Sequence, residues 1–214
     1  VWARSFGATG EGALNISDVG NSVAVDSSGN VYTTGMFGGT VDFDPGAGTT
    51  NLTSNGGHDV FVLKLDSSGD LVWARSFGAT GYSTDVGKSV AVDSSGNVHT
   101  TGAFEGTVDF DPGSGTTNLT STGKSDVFVS KLDSSGDLVW AISFGASDEL
   151  GHTRSEYGES VAVDSSGNVY TTGRFEGTVD FDPGAGTANL TSNGYNDVFV
   201  SKLDSSGDLV WAKS

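Results

Sequence analysis

An all-β chain of three four-stranded antiparallel blades is predicted by three observations. First, one stretch of sequence is written three times: SVAVDSSGNV at 22–31, 89–98 and 160–169, and GTVDFDPG at 39–46, 106–113 and 177–184. KLDSSGDLVWA follows each time, at 64–74, 131–141 and 202–212. Equivalent aspartates Asp26, Asp93 and Asp164 stand 67 and then 71 residues apart, so one elastic segment absorbs the variation in period. Second, Val-, Phe-, Thr- and Trp-rich runs alternate with turns, and the chain holds 33 glycines but only 3 prolines. Third, no stretch carries the 3.6-residue apolar periodicity of an amphipathic helix.

The elements follow in order from the first copy. Residues 22–26 make strand A, in which Val23, Ala24 and Val25 are all apolar. Ser27-Ser28-Gly29 then turns the chain, because the preceding aspartate accepts hydrogen bonds from the backbone just after it and glycine takes the positive-φ position. Residues 31–37 return as strand B. A second hairpin has the same grammar, with strand C at 60–65, the turn Asp66-Ser67-Ser68-Gly69, and strand D at 71–77. Strands C and D read VFVLKL and LVWARSF, apolar on both faces, whereas a sheet with one wet face alternates cleanly. Sheets covered on both sides by neighbouring sheets are what successive blades of a β-propeller provide. A parallel β-helix is the structural rival, but its coils are shorter and lack paired hairpins.

The whole of 1–214 is therefore a single repeat array, with blades at about 21–77, 88–144 and 159–214 and a surplus D strand at 1–6. Three twisted sheets do not close around an axis, since such rings typically have four to eight blades. The expectation is a piece of a longer ring, or half of a six-bladed assembly of two chains. The expected partners are thus other copies of the chain or further blades of the same polypeptide.

Composition excludes several classes. A net charge of −17, with only 10 Lys and Arg, argues against nucleic acid and against anionic membrane surfaces. It suits a highly soluble surface protein, or one that neutralises carboxylates with divalent cations. No run approaches the roughly 20 apolar residues of a membrane-spanning helix. Cysteine is absent, which removes disulfides, thiolate metal sites and thiol nucleophiles together.

AVDSSGNVYTTG followed by DVFVxKLDSSGDLVWA resembles the bacterial SBBP-type β-propeller repeat, with similarity to NHL-type blades. The resemblance covers essentially the whole chain, because both hairpins, their turns and the Trp recur together. It implies a propeller in large secreted or cell-surface bacterial proteins, and it brings no catalytic residues with it. One departure is the B–C segment, GTVDFDPGAGTTNLTSNG, which is longer than a simple blade requires.

The copies differ in two places. The D–A connections read ATGEGALNISDVGN, ATGYSTDVGK and ASDELGHTRSEYGE, and the ends of the B–C segments read NGGH, TGKS and NGYN. In a blade of order A–B–C–D both connections emerge on one face, and the invariant DSSGN and DSSGD turns on the other. Loops tolerate change because little packs against them, which is one reading. The other is a partner-binding face with His58, Tyr82, His152, Arg154, Tyr157 and Tyr195 as contacts, Tyr and Arg being enriched at interface hot spots.

Of the motifs able to carry chemistry, DFDPG sets carboxylates at i and i+2: Asp42 with Asp44, Asp109 with Asp111, and Asp180 with Asp182. On an extended strand these share a face and can approach one hard cation, with turn carbonyls completing a calcium shell. The competing reading is that one aspartate caps the Pro-Gly turn and the other faces solvent. Calcium is the one cofactor suggested. Ser27 and Ser67 lie in turns repeated in every copy, with no His at a fixed offset to act as base, so they read as hairpin turns rather than nucleophiles. His99 replaces Tyr32 and Tyr170 and reads as a packed ring, and Trp2, Trp73, Trp140 and Trp211 read as blade-to-blade core. Identical carboxylate pairs lack the asymmetry that glycoside hydrolysis requires. The chain reads as a non-enzymatic extracellular scaffold, adhesion or binding module for protein or glycan, with calcium as a candidate stabiliser. The alternative is the substrate-binding propeller segment of a larger polysaccharide-active enzyme.

Overall fold

The computed structural model describes residues 1–7, 17–146 and 154–214, and among these every regular element is a strand. The first blade holds β1 (Val19–Val25), β2 (Val31–Phe37), β3 (Thr40–Asp42), β4 (Asn51–Thr53), β5 (Asp59–Leu65) and β6 (Leu71–Phe77). The second holds β7 (Val86–Val92), β8 (Val98–Phe104), β9 (Thr107–Asp109), β10 (Asn118–Thr120), β11 (Asp126–Leu132) and β12 (Leu138–Phe144). The third holds β13 (Tyr157–Val163), β14 (Val169–Phe175), β15 (Thr178–Asp180), β16 (Asn189–Thr191), β17 (Asp197–Leu203) and β18 (Leu209–Lys213). Each blade is one four-stranded sheet in the order β1-β2-β5-β6 or its equivalent, antiparallel throughout. The A–B–C–D grammar of the sequence is therefore the order in space.

Three details differ from the expected strands. Residues 1–6, expected as a surplus D strand, form no strand and meet the first blade through side chains such as Trp2 and Phe6. Strand A starts earlier, at Val19, and carries a bulge between Gly20 and Ser22 that recurs in the other two blades. The bulge brings the Val19 carbonyl so close to Gly35 on β2 that any side chain there would strike it, and Gly102 and Gly173 face the same constraint. The long B–C segment is explained by β3 and β4, a small hairpin that forms its own two-stranded sheet. Its purpose is packing: Val41 and Phe43 are buried, and Phe43 meets Phe37 edge-on at 5.4 Å.

Both turn types work as their residues dictate. In the A–B turn, Asp26 Oδ1 accepts the Ser28 and Asn30 N–H groups at 2.9 and 3.0 Å, and Gly29 takes φ 82°. In the C–D turn, Asp66 does the same for Ser68 and Asp70.

The core lies between blades. One cluster joins Tyr32, Val60, Val62, Trp73 and Phe77 of the first blade to Val90, Val98, Phe104, Phe110 and Phe128 of the second. A second cluster repeats the arrangement between the second and third blades. Each fully buried valine in these junctions is worth about 1.5–3 kcal/mol of hydrophobic stabilisation. Polar clamps fix the spacing. Ser22 Oγ accepts the Val90 N–H at 3.2 Å and Ser89 Oγ the Val161 N–H at 3.1 Å, so the A strands of successive blades stand side by side. At the D strands, Trp73 Nε1 donates to the Ser134 carbonyl at 3.1 Å, and its ring lies on Gly136, whose φ of 83° and bare Cα leave room for it. Trp140 repeats this on Gly207, and Trp2 on Gly69. Trp2, Trp73 and Trp140 thus dock on the turn of the blade that follows each of them, the role the sequence suggested, whereas Trp211 meets Tyr170 within its own blade.

Candidate functional site

The two variable segments are joined directly. His58, at the end of the B–C segment, bridges in parallel to Thr84 of the D–A connection, donating its N–H to the Ser83 carbonyl at 3.2 Å and accepting that of Asp85 at 2.9 Å. Ser125 and Ser155 form the same bridge one blade on, where the Arg154 carbonyl accepts the Lys124 N–H. Gly56 and Gly57 sit against the carbonyls of Ala79, Gly81 and Ser83, so the D–A loop wraps a stretch of chain that has no side chains. Alongside lies an open groove of about 580 Å³ lined by Thr80, Tyr82 and Ser83 from one blade and Glu105, Thr107 and Lys124 from the next. Tyr82 is fully exposed, and Lys124 faces Glu105 at 4.0 Å across the groove wall.

Of the residues singled out for a partner face, His58, Tyr82 and Arg154 are brought to these seams. Tyr195 stands exposed on the corresponding loop of the third blade. Tyr157 differs: it opens β13, half-buried, with the Arg174 guanidinium 4.4 Å above its ring. His152 lies outside the described residues.

Beneath the same seams are carboxylates that sequence reasoning passed over. Asp59 and Asp85 are both fully buried at the junction of the first two blades. Asp85 accepts the Ala79 N–H from the blade before and the Glu105 N–H from its own, both at 2.8 Å. Burial pushes its pKa up to about 7, against those two N–H groups and with the help of the Asp59 charge. Burial also raises Asp59, although the backbone N–H groups of Asn55 and Gly56 oppose that rise, Asn55 donating to its Oδ2 at 2.9 Å. At the next junction Asp126 and Glu156 hold the same places. Asp126 is raised by burial, and Glu156 is pushed up to about 7 by burial and then by the charge of Asp126. The signal was present in the sequence: an acidic residue stands immediately ahead of the apolar run of strand C, and another ahead of strand A, in every copy.

The DFDPG aspartates are used by their own turns, which corrects the strand geometry expected of the three pairs. Asp42, Asp109 and Asp180 end β3, β9 and β15, whereas Asp44, Asp111 and Asp182 lie beyond those strand ends. The extended backbone that would set both carboxylates on one strand face therefore stops before the second aspartate of each pair. In the first blade Asp42 Oδ1 accepts the N–H groups of Asp44 and Thr50 at 3.0 and 2.8 Å, and these bonds hold its pKa below the usual carboxylate value. Asp44 Oδ1 in turn accepts the Gly46 N–H at 2.7 Å. In the second blade Asp109 accepts from Asp111 and Thr117, and Asp111 accepts the Gly113 N–H at 2.7 Å. In the third, Asp180 accepts from Asp182 and Ala188, and Asp182 accepts the Gly184 N–H at 2.8 Å. Both members of each pair thus cap backbone; neither stands free on a strand. Among the described residues no three His, Asp or Glu side chains gather as a metal-ligand group. A cation at these turns would complete its shell with backbone carbonyls and water.

On the opposite face, the invariant turns of neighbouring blades enclose polar grooves of about 460 and 210 Å³. Their charged residues serve the frame. Lys64 and Lys131 reach across to the Ser134 and Ser205 carbonyls, and Asp26 holds Asn30 and the Tyr32 hydroxyl. His99 is buried within 3.5 Å of Asp93 Oδ2, and burial holds its pKa below the usual histidine value despite that carboxylate. It is the packed ring its position suggested.

A family model described as SBBP beta-propeller repeat matches residues 1–36, 72–103 and 147–174, each match spanning the D–A connection and strand A and reaching into strand B. Regulatory protein FlaEY of Caulobacter vibrioides is 32% identical over 178 residues, 80% of this chain and 17% of its own length. Uncharacterized WD repeat-containing protein L264 of Acanthamoeba polyphaga mimivirus is 27% identical over 239 residues, 99% of this chain and 16% of its own length. The chain spans about a sixth of the length of these curated relatives.

Proposed function

The chain is built of SBBP beta-propeller repeats, and from that premise we propose that it is a non-catalytic binding and scaffolding module whose partner docks on the face of the D–A and B–C connections. The observation that carries this reading is the convergence of the variable positions on one seam. The frame is copied almost unchanged, while the residues around the groove at Tyr82 differ from copy to copy. An exposed ring beside hydroxyls and an ion pair is binding chemistry, suited to a protein or glycan surface. The names of the relatives, a regulatory protein and a WD repeat protein, support a repeat used for binding. An extracellular setting is part of the same proposal, supported by the acidity of the chain.

The test is a loop exchange. Replacing 148–157 by the shorter 81–86, and separately Tyr82→Ala, is expected to change binding to a glycan array and to intact bacterial cells while the melting temperature holds. Binding that survives both changes but is lost when the DSSG turns are altered would put the site on the other face.

Calcium at the DFDPG turns belongs to the same proposal as a stabiliser. Because a ligand that favours the native state raises its stability, millimolar calcium is expected to raise the melting temperature above that in chelator. Superimposed melting curves, with no calcium retained after dialysis, would dispose of it.

A further inference from the structure

The D–A connection between the first and second blades is fastened almost wholly by polar contacts. Thr80, Gly81, Tyr82 and Thr84 are exposed, and Ala79 is the one buried apolar side chain of the run 79–85. Three bonds hold it down: the Ala79 N–H to Asp85 Oδ2 at 2.8 Å, the His58 N–H to the Ser83 carbonyl at 3.2 Å, and the Asp85 N–H to the His58 carbonyl at 2.9 Å. A segment with so few buried apolar contacts opens locally far more readily than the whole chain unfolds. The groove at Tyr82 depends on this segment, because Thr80, Tyr82 and Ser83 form one wall and Glu105, Thr107 and Lys124 the other.

Beneath the segment lie Asp59 and Asp85, both buried. Two like charges held away from water do not both persist, so the closed seam keeps a proton between them. The charged groups that face Asp85 are Asp59 itself and Glu105, whose N–H it accepts at 2.8 Å. The His58 imidazole favours the charge on Asp59, and Lys124 stands 4.0 Å from Glu105. Lifting 79–84 leaves Asp85 tied to Glu105 and admits water to both carboxylates. Hydrated carboxylates titrate at about pH 4, whereas burial holds Asp85 up at about 7. The closed seam therefore takes up a proton that an open one releases. Asp126 and Glu156, both buried, fill the same places at the next junction, where the Ala146 N–H reaches Glu156 Oε2 at 3.4 Å.

We propose that residues 79–84 are a pH-operated cover, closed on the B–C segment while Asp59 and Asp85 share a proton and lifted once that proton leaves. The closed form has its full advantage below about pH 4 and loses roughly tenfold with each pH unit from there to about 7. The consequence for binding rests on the reading that a partner docks at this groove. With the cover lifted the groove loses a wall, and a partner seated there is released as the pH rises.

Amide hydrogen exchange of the 214-residue chain, corrected for the intrinsic rate at each pH, tests this without any partner. Between about pH 5 and 7 the protection of the His58, Ala79 and Asp85 N–H groups is expected to fall roughly tenfold per unit, while amides paired within β2 and β5 change less. Asp85→Glu, which installs the residue type of the equivalent place in the next junction, is expected to keep this dependence. The double variant Asp59→Asn, Asp85→Asn is expected to lose it, with circular dichroism to verify the fold. Should that variant not fold, the slope of the unaltered chain still decides. Protection that is constant across this range, a slope shared equally by β2 and β5, or a slope that persists in the folded double variant each overturns the cover. Binding to the glycan array and to intact bacterial cells is then compared across the same range, and release at the higher pH is expected. Binding that holds steady while the three amides open would leave the cover standing and overturn the docking face instead.

Discussion

Single carboxylates set how this protein responds to pH, in opposite directions at different places. Asp85 and Glu156 are raised to about 7 in the folded chain, so it binds protons that the unfolded chain has released. Between roughly pH 4, where unfolded carboxylates titrate, and pH 7, stability therefore falls as pH rises. Asp164 has the other sign: bonds from Asn168 and Ser166 hold it down to about 2, a contribution present above pH 4 and lost as the pH falls towards 2. The melting temperature is expected to peak near pH 4–5 and decline towards pH 8. Asp59→Asn removes the charge that faces Asp85, whose other charged neighbour is Glu105, and keeps an acceptor for the Asn55 N–H. It is expected to flatten the decline. An unchanged slope in that variant would show that Asp59 contributes neither through its own titration nor through its charge on Asp85.

At the scale of strands, position within the array outweighs sequence. Val129 on β11 and Val200 on β17 occupy the same place in the same motif, yet one is buried in a junction and the other faces outward. Val129→Ala is expected to cost about 2–3 kcal/mol, two methyls plus the cavity they leave. Val200→Ala should stay within about 0.5 kcal/mol in dilute monomer, and denaturant melts of the two variants provide the comparison. Equal losses would mean that the outward face is buried after all. This contrast also explains what the sequence made legible. Strands, turns and their order were readable because DSSG turns and apolar runs are local signals that each copy repeats. The bulge at Asn21 and the inserted hairpin β3–β4 were not, since the first depends on a carbonyl meeting Gly35 and the second on Phe43 finding Phe37 and Phe61. The same hairpin explains why Asp44, Asp111 and Asp182 leave the strand: each follows a buried Phe that ends the pairing and turns the chain. For the site, the seam of B–C and D–A connections followed from strand order. The carboxylates beneath it escaped notice because an isolated Asp looks the same in sequence whether the next blade covers it or water does.

The whole molecule balances a net charge of −17 against two apolar junctions. Its cations are few and mostly taken up by frame contacts, such as Lys64 to Ser134 and Arg75 to Gly136. Raising sodium chloride from a few millimolar to about half-molar shrinks the Debye length from tens of Å to roughly 4 Å, and the melting temperature is expected to rise by several degrees. A fall would mean that the surface ion pairs Arg4–Asp70 and Arg75–Asp137 matter more than self-repulsion. The elastic D–A segment bears on how such a chain is inherited. It absorbs the whole difference between periods of 67 and 71 residues, while the Trp-to-turn and Ser-to-strand contacts are made outside it, at positions equivalent in each copy. Unequal recombination between two copies of the gene segment, joining one codon to its equivalent a period away, therefore adds or removes a blade and leaves a workable junction behind. A lineage can alter its number of blades in one genetic event, without having to evolve a new interface.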